Sequence, residues 1–248
     1  MITQAPPALV WVDWPAPAHV KACYTLRVGG VSHAPYTSFN LAKHVGDDEA
    51  SVTTNRKTLM TLIGQHKISW LQQVHGAEVL AASDHLQTAD ASVSDQPNQV
   101  CCVMTADCLP VFFSDLSGQK VAMAHAGWRG LCAGVLENTL KQFSSASQVL
   151  CYLGPAISQP AFEVGDDVHK AFSLAYPHLA LSQQFDKADN PDKWLCSLYG
   201  IATLILNSLG VAAVSGGERC TFSEQDAFFS YRRDGQTGRM ANLIWIDA

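Results

Sequence analysis

The sequence predicts a mixed fold in which β-strands and α-helices follow one another within one domain. Apolar residues alternate as in strands in some segments and recur at helical spacing in others. No internal repeat, low-complexity tract or linker divides the chain. Hydrophobic residues make up 48% of the 248 positions and charged residues 15%, a composition that supports a sizeable core. We therefore expect one domain over residues 1–248.

The first part of the chain is expected to contain a strand, a long loop, a helix and two short strands. Their ranges are, in order, 21–30, 31–48, 48–63, 69–76 and 78–82. Paired glycines end the first strand, and the loop after it is rich in turn-forming residues. On this pattern His75 lies at the end of a strand.

The central part carries three apolar runs. The predicted elements are two strands within 99–115, a turn at 115–118, a strand from 121 and a helix from 128. Cys108 lies in the break between the first two strands, and His125 lies where the third strand gives way to the helix. A strand end followed by a helix N-terminus is a common place for a ligand, because free N–H groups point outward there.

The last part of the chain is expected to contain both strands and helices. The predicted elements are a strand at 149–153, helices at 162–173 and 194–210, and a β-hairpin at 228–246. Gly210 is a suitable stop for the second of these helices.

Charge and composition exclude several classes of partner. A net charge of −6 without a Lys/Arg cluster argues against a nucleic-acid surface, and no apolar run has the length of a membrane span. The N-terminal segment lacks the basic head and apolar stretch of a signal peptide, so we expect a cytoplasmic protein. The eight cysteines are then expected to remain thiols, most of them buried. The sequence gives no indication of the oligomeric state.

His75, Cys108 and His125 are the strongest candidates for chemistry. Each lies where an apolar run meets a glycine or a polar turn, and a Cys/His/His set leaves one zinc position open for water, as in catalytic sites. Their separations of 33 and 17 residues match no compact zinc motif. The alternative for a histidine at a strand end is a buried ring hydrogen-bonded to a carbonyl group.

The same residues also allow a reaction without metal. Cys108 as a thiolate nucleophile, with His75 or His125 as its base, would make a cysteine hydrolase or amidase. A binding module without catalysis fits poorly with three reactive side chains at strand ends. Metal analysis of the purified protein separates the first two interpretations.

Several strings resemble one known family, in order and over nearly the whole chain. They are RVGGVS, FNLAKHVGDD, WLQQVHG, TADCLPV, AHAGWRG, LGPAIS and FFSYRRDGQTGR, together with Asn55-Arg56. The chain resembles the multicopper polyphenol oxidase or laccase-domain family of the bacterial YfiH type. The resemblance implies a single α+β domain, a mixed β-sandwich flanked by helices, with zinc held by His75, Cys108 and His125.

The resemblance also implies a function. Members of the family act on purine nucleosides: they phosphorolyse adenosine, inosine and methylthioadenosine and deaminate adenosine. The implied partners are therefore purine nucleosides and phosphate. Bacterial relatives are alternatively implicated in editing peptidoglycan precursors, a role that would suit an amidase.

The oxidase label of the family agrees poorly with the composition. A multicopper oxidase needs roughly ten histidine ligands, typically in His-x-His pairs, whereas this chain has nine histidines and no such pair. Copper binds Cys/His sites more tightly than zinc, so copper loading in vitro would explain weak laccase activity.

Provisional roles follow for the polar residues near these motifs. Asp107 is a candidate proton carrier or partner of a metal ligand, with a turn-capping role as the alternative. Arg56, from the Asn-Arg motif, and Arg129, at the helix start, are candidate phosphate ligands, with a solvated salt bridge as the alternative. The candidates for orienting the sugar or base, all of them explained nearly as well by turn chemistry, are Ser32, Asn40 and Gln73.

Overall fold

Two large β-sheets pack face to face in the computed structural model, which describes residues 9–248. The strands in chain order are β1 Leu9–Trp11, β2 Val20–Thr25, β3 Lys67–Ser69, β4 Leu71–Gln72, β5 Val79–Ala81, β6 Gln87–Thr88, β7 Ala91–Ser94, β8 Gln99–Thr105, β9 Leu109–Asp115, β10 Val121–Ala126, β11 Val149–Leu153, β12 Glu163–Gly165, β13 Phe185–Lys187, β14 Lys193–Cys196, β15 Ala213–Gly216 and β16 Met240–Ile246. The α-helices are α1 Glu49–Leu62, α2 Trp128–Cys132, α3 Val135–Leu140, α4 Asp166–Ala175, α5 Leu198–Ser208 and α6 Tyr231–Asp234. Short 3₁₀ helices cover Ala146–Gln148, Gln159–Ala161 and Leu181–Gln184.

The two sheets are mixed. The first has the strand order β1-β2-β16-β8-β3, antiparallel except for the β3–β8 pair. The second has the order β15-β11-β9-β10-β7-β5, with parallel pairs only at its two edges. Smaller sheets join β12, β14 and β13, and β4 and β6. The fold is a mixed β-sandwich with flanking helices, so the expected fold class is confirmed.

The central strands are apolar on both faces because each face meets its own core. In β9, Phe112 packs between the two sheets, whereas Val111 and Phe113 pack under the helices of the second sheet. In β8, Val103 points between the sheets and Cys102 points toward α1. The period of two along these strands therefore supplies both cores, which explains their nearly continuous apolar sequence.

Helix α1 confirms the predicted helix at 48–63. Asp48 caps its N-terminus by accepting a 2.8 Å hydrogen bond from the Ser51 amide, and Val52 and Leu59 are buried. The helix predicted at 194–210 corresponds to α5. Ser197 caps its N-terminus, and Gly210 lies two residues after its C-terminus with a positive φ. The strand predicted at 149–153 is β11, and both strands predicted within 99–115 are present as β8 and β9.

Three predicted elements have different ends. The first strand ends at Thr25, before the paired glycines. The segments 162–173 and 194–210 each begin with a strand rather than a helix, because β12 and β14 pair with one another before α4 and α5 start. Cross-strand pairing of this kind is not visible in the spacing of one segment.

Two predictions in the segments that form the site are wrong. The strand at 69–76 is broken into β3 and β4, and His75 lies in a loop three residues after β4 with φ 61°. The segment 228–246 is not a hairpin: it contains α6 and then β16, which pairs with β2 and β8 instead. Ser230 starts α6 by accepting a hydrogen bond from the Arg233 amide.

The structure tests some of the expectations about the cellular compartment and the cysteines. Residues 1–8, which include the start of the N-terminal segment, lie outside the described residues. Among residues 9–248, no helix has both the length and the hydropathy to cross a bilayer. All eight cysteines are free thiols, and five of them are buried, as expected.

Candidate metal centre and its cleft

Three segments that are distant in the sequence bring His75, Cys108 and His125 together. His75 comes from the loop after β4, Cys108 from the turn between β8 and β9, and His125 from the end of β10. One ligand atom from each lies within 4.8 Å of the others, and Cys108 Sγ is 3.7 Å from His75 Nε2. The predicted cluster of these residues is present, and we call it the ligand trio.

Asp90, which the sequence did not indicate, orients two members of the trio. The His125 ring donates from Nδ1 to Asp90 Oδ1 at 2.8 Å, which leaves Nε2 free. The same carboxylate accepts the backbone N–H groups of Val74, His75 and Gly76 at 3.1, 2.9 and 2.7 Å. These bonds replace strand pairing and explain why β4 ends before His75.

The backbone around the trio leaves no room for additional side-chain atoms. A Cβ atom at Gly127 would lie 2.9 Å from Cys108 Sγ and 3.1 Å from His75 Cδ2. Gly127 is also the N-cap of α2. A glycine is therefore required where β10 turns into α2.

The trio residues influence one another's charge. Burial raises the pKa of the Cys108 thiol, but the nearby His125 and His75 outweigh burial and bring that pKa below its ordinary value. Burial lowers the pKa of His125, and the charge of Cys108 and the hydrogen bond to Asp90 outweigh it and raise that pKa. Burial also raises the pKa of six thiols away from the trio, those of Cys23, Cys101, Cys102, Cys132, Cys151 and Cys196.

The donor set fits a metal ion. A thiolate and two imidazoles are ligands that zinc accepts, and donor atoms on a tetrahedral zinc lie about 3.5 Å apart, close to the 3.7 Å between Cys108 and His75. His125 has the hydrogen-bonded Nδ1 that metal-binding histidines typically have, because Asp90 fixes its tautomer.

A cleft of about 440 Å³ opens over the trio, and we call it the cationic cleft. Its walls include Arg129, Arg239 and His44, and no carboxylate from residues 9–248 lines it. Arg129 is exposed and stacks on Trp128 with the guanidinium carbon 4.3 Å from the ring centroid. Arg239 is half-buried, and its guanidinium donates to the backbone carbonyls of Thr237 and Gly238. The cleft is suited to an anion.

Arg56 lies in a neighbouring pocket rather than in the cationic cleft. Its guanidinium stacks over Trp70 at 3.7 Å and donates to the Leu41 carbonyl at 2.8 Å. Burial lowers the pKa of Arg56. The two pockets share His44 and Met104 among their lining residues. The positive charge of Arg56 therefore lies in the pocket adjacent to the cationic cleft.

The three candidates for orienting a sugar or base are occupied by structural hydrogen bonds. Ser32 and Asn40 are buried and both donate to Asp47 Oδ2. Gln73 lines the cationic cleft, but its amide both donates to and accepts from the backbone of Met104 at 2.8 and 2.7 Å. The geometry therefore favours a structural role for all three residues, in holding turns and strands together.

The carboxylate of Asp107 also takes part in hydrogen bonds within the protein. Its carboxylate accepts from the Thr221 hydroxyl at 2.6 Å and from the Arg232 amide at 2.7 Å. Asp107 has a φ of 96° and is buried beside Cys108. This arrangement favours the capping interpretation, because Asp107 holds the start of α6 against the turn that carries Cys108.

Sequence reasoning missed Asp90, His44, Arg239 and Tyr231. The last two belong to the FFSYRRDGQTGR string, where the expected hairpin gave no reason to single them out. Tyr231 is 62% exposed at the mouth of the cationic cleft. A string that mixes aromatic, cationic and glycine residues was the available signal.

Fold and site together define a helix-flanked β-sandwich with a candidate metal centre at the floor of a cationic cleft. A family model described as multi-copper polyphenol oxidoreductase laccase matches residues 21–247. The chain belongs to this family, and the resemblance seen in the sequence is confirmed.

Named relatives agree over nearly the full length. A Pseudomonas aeruginosa protein named purine nucleoside phosphorylase is 48% identical over 236 residues, which cover 94% of this chain and 96% of the relative. Escherichia coli YfiH, also named purine nucleoside phosphorylase, is 47% identical over 245 residues, with 96% and 98% covered. A crystal structure of a Neisseria meningitidis protein has a TM-score of 0.92 at 48% identity, with 97% of this chain and 99% of that chain covered.

Proposed function

We propose that this protein is a purine nucleoside phosphorylase that uses the ligand trio and the cationic cleft. The observation that carries the proposal is a metal-compatible trio at the floor of a cleft that, in the described part of the chain, is lined by cationic side chains and by no carboxylate. Such a cleft suits phosphate, the second substrate of a phosphorylase. The names of the relatives support the same reaction class.

The cleft residues have distinct roles in this proposal. Arg129 and Arg239 bind phosphate, because guanidinium groups pair with phosphate oxygens in a planar, two-point manner. His44, with a pKa lowered by burial and by Arg239 and Arg56, remains neutral at physiological pH and donates or accepts a hydrogen bond there. Arg56 strengthens the positive potential from the adjacent pocket.

The trio residues would hold zinc, with His75 Nε2, Cys108 Sγ and His125 Nε2 as donors. A zinc ion in an open site supplies an activated water, which is what deamination of adenosine requires. Asp90 keeps the His125 ring oriented at the floor of the cleft. Adenosine, inosine and methylthioadenosine are the proposed nucleosides.

The first test uses metal-loaded protein with inosine, with and without phosphate, and separates the products by chromatography. Hypoxanthine and ribose 1-phosphate are expected only when phosphate is present. Equal release of hypoxanthine and free ribose without phosphate would make the protein a hydrolase. The same assay with adenosine shows whether inosine accumulates, which is the expected result of deamination.

Variants of residues in the cleft test where phosphate binds. Arg129→Ala is expected to raise the KM for phosphate about tenfold and to leave the KM for inosine nearly unchanged, because one charge-assisted contact is lost. Lys57→Ala removes an exposed cation on α1 and serves as the matched control. Equal effects of the two variants would remove Arg129 from the phosphate site.

One observation favours a second candidate, a cysteine hydrolase or amidase acting on peptidoglycan precursors. Cys108 lies beside His75, and His125 is oriented by Asp90, an arrangement that also occurs in nucleophilic cysteine sites. Metal analysis decides between the two. About one zinc per chain supports the phosphorylase.

Thiol alkylation read by peptide mass spectrometry gives a second readout. Cys220 is a built-in control, since hydrogen bonds from Ser158 lower its pKa against burial and it lies outside the trio. Zinc is expected to protect Cys108 but not Cys220. Metal-free protein that cleaves amides, with activity lost on alkylation of Cys108, supports the hydrolase instead.

Copper is a further test of the family label. Among residues 9–248 one Cys/His cluster with metal-ligand geometry occurs, the trio itself. Copper loaded into this single site is expected to give at most weak oxidase activity, which disappears when a chelator removes the copper and zinc is loaded in its place.

A further inference from the structure

A second pocket of about 300 Å³ adjoins the cationic cleft at the trio, and we call it the apolar pocket. The two share His75, Cys108 and Arg129 as lining residues, with Tyr231 at their common mouth. Beyond that junction their walls differ. The wall of the apolar pocket is formed by Trp128, Ile157, Phe162 and Leu198.

Two polar side chains on the wall of the apolar pocket are paired within the protein. Both carboxylate oxygens of Asp107 accept hydrogen bonds. The Arg232 guanidinium donates to the Glu163 carbonyl at 2.8 Å and lies over the Phe162 ring at 5.1 Å. Away from the junction with the cationic cleft, the wall is therefore mainly aromatic and aliphatic, which suits a flat, uncharged ring system better than a phosphate.

The reaction itself needs two compartments. In phosphorolysis a phosphate oxygen forms a bond to C1′ of the ribose while the bond from C1′ to N9 of the purine breaks. The bonding electrons leave with the purine, which takes up the proton that hydrogenphosphate loses on becoming the ester. Because the incoming oxygen and the leaving base occupy opposite faces of C1′, their binding sites lie on different walls around the reacting carbon.

We infer that the apolar pocket holds the purine base, stacked against Trp128 and Phe162, while phosphate occupies the cationic cleft. This inference rests on the proposed function. It places C1′ at the junction of the two pockets, next to His75 and Cys108. It makes Trp128 a specificity-determining residue, since its half-buried ring contributes to the base site and, on its outer side, carries the Arg129 guanidinium.

The test compares steady-state kinetics of zinc-loaded Trp128→Ala and wild-type protein with inosine and phosphate varied in turn. Loss of the base-stacking surface is expected to raise the KM for inosine about tenfold. The KM for phosphate should rise by a smaller factor, because the ring also supports the Arg129 guanidinium. Trp128→Phe keeps an aromatic surface and is expected to restore most of the affinity. Trp11→Ala, which removes a half-exposed tryptophan on β1, is the matched control.

A binding measurement accompanies the kinetics. Calorimetric titration of hypoxanthine in the presence of phosphate is expected to show affinity about tenfold weaker for Trp128→Ala than for wild type and Trp11→Ala. Circular dichroism and zinc content establish that the variant is folded and loaded. If Trp128→Ala does not fold, Phe162→Leu takes its place under the same criteria.

The outcomes are separable. A folded, zinc-loaded variant that raises the KM for phosphate as much as that for inosine, or changes neither, overturns the assignment of the purine to the apolar pocket. Wild-type protein that forms no ribose 1-phosphate overturns the proposed function itself. That second result comes from wild type alone, before any variant is compared.

Discussion

At the scale of residues, Cys108 differs from the other seven thiols in its neighbours rather than in its own chemistry. Two imidazoles surround it, whereas Cys101 lies in β8 among apolar side chains and burial raises the pKa of Cys101 to about 12. The sequence indicated this contrast, because Cys108 follows a break in an apolar run and Cys101 lies within one.

We expect the alanine variants of the trio to be folded, zinc-poor and inactive. His75→Ala, Cys108→Ala and His125→Ala each remove one of three protein donors, while the two cores do not depend on these side chains. Zinc content, circular dichroism and phosphorolysis are the measurements. Cys101→Ala is the matched control and should keep zinc and activity at a cost of about 1 kcal/mol in stability. Full zinc occupancy in folded His125→Ala would remove that imidazole from the metal site.

Asp90 is expected to act through His125 rather than on the substrate. Asp90→Asn removes the charge and replaces one carboxylate oxygen with an NH2 group, so either His125 or the N–H groups of Val74 and Gly76 lose their acceptor. Zinc affinity should fall roughly 10- to 100-fold, as is common when a hydrogen-bond partner of a ligand is changed. Competition with a chelator measures it. Unchanged zinc affinity in Asp90→Asn would show that the loop alone positions the trio.

The trio was predictable from sequence, but its surroundings were not. The sequence singles out the three residues where apolar runs end, although His75 lies in a loop after β4 rather than at a strand end, and the family resemblance gives the same set. Asp90 reaches the trio from the start of β7 through a loop geometry that leaves no periodic signal. Arg239 is brought over the cleft by β16, whose pairing with β8 is a long-range contact.

At the scale of elements, segments with strong local signals were predicted well and segments fixed by long-range contacts were not. Helix α1 has a capping aspartate and an apolar face, so its range is nearly that predicted. The expected hairpin at 228–246 failed because Ser230 and Asp107 together start α6, one through its hydroxyl and the other across the fold. No spacing within the segment records the second contact.

The junction between β10 and α2 gives a prediction at this scale. Gly127→Ala introduces a Cβ atom within 2.9 Å of Cys108 Sγ and 3.1 Å of His75 Cδ2, so the trio is forced apart. We expect folded protein with at least tenfold weaker zinc binding, read by chelator competition. Gly210→Ala is the matched control for stability, because nothing lies within 4 Å there although its φ is positive. Normal zinc affinity in Gly127→Ala would mean that the junction is freer than its contacts indicate.

At the scale of the whole molecule, the trio ties together the two halves of the sandwich. Cys108 follows β8 of the first sheet and precedes β9 of the second, and His125 ends β10 of the second. The mixed order of strands and helices was predictable, but the pairing of β16 between β2 and β8 joins the two ends of the chain and was not. A metal ion bound at the trio only by the folded state would therefore stabilise contacts between both sheets.

Removal of zinc is accordingly expected to lower the melting temperature without abolishing the fold. At a free zinc concentration about 100-fold above its dissociation constant, binding stabilises the folded state by about 2.7 kcal/mol, which corresponds to roughly 5–10 °C for a chain of this size. Thermal denaturation with and without a chelator measures the shift. His125→Ala should melt at the same temperature in both conditions, since it binds little zinc. A chelator effect of equal size in wild type and His125→Ala would show that the ion acts elsewhere than at the trio, and would separate the stability of the sandwich from the chemistry of the cleft.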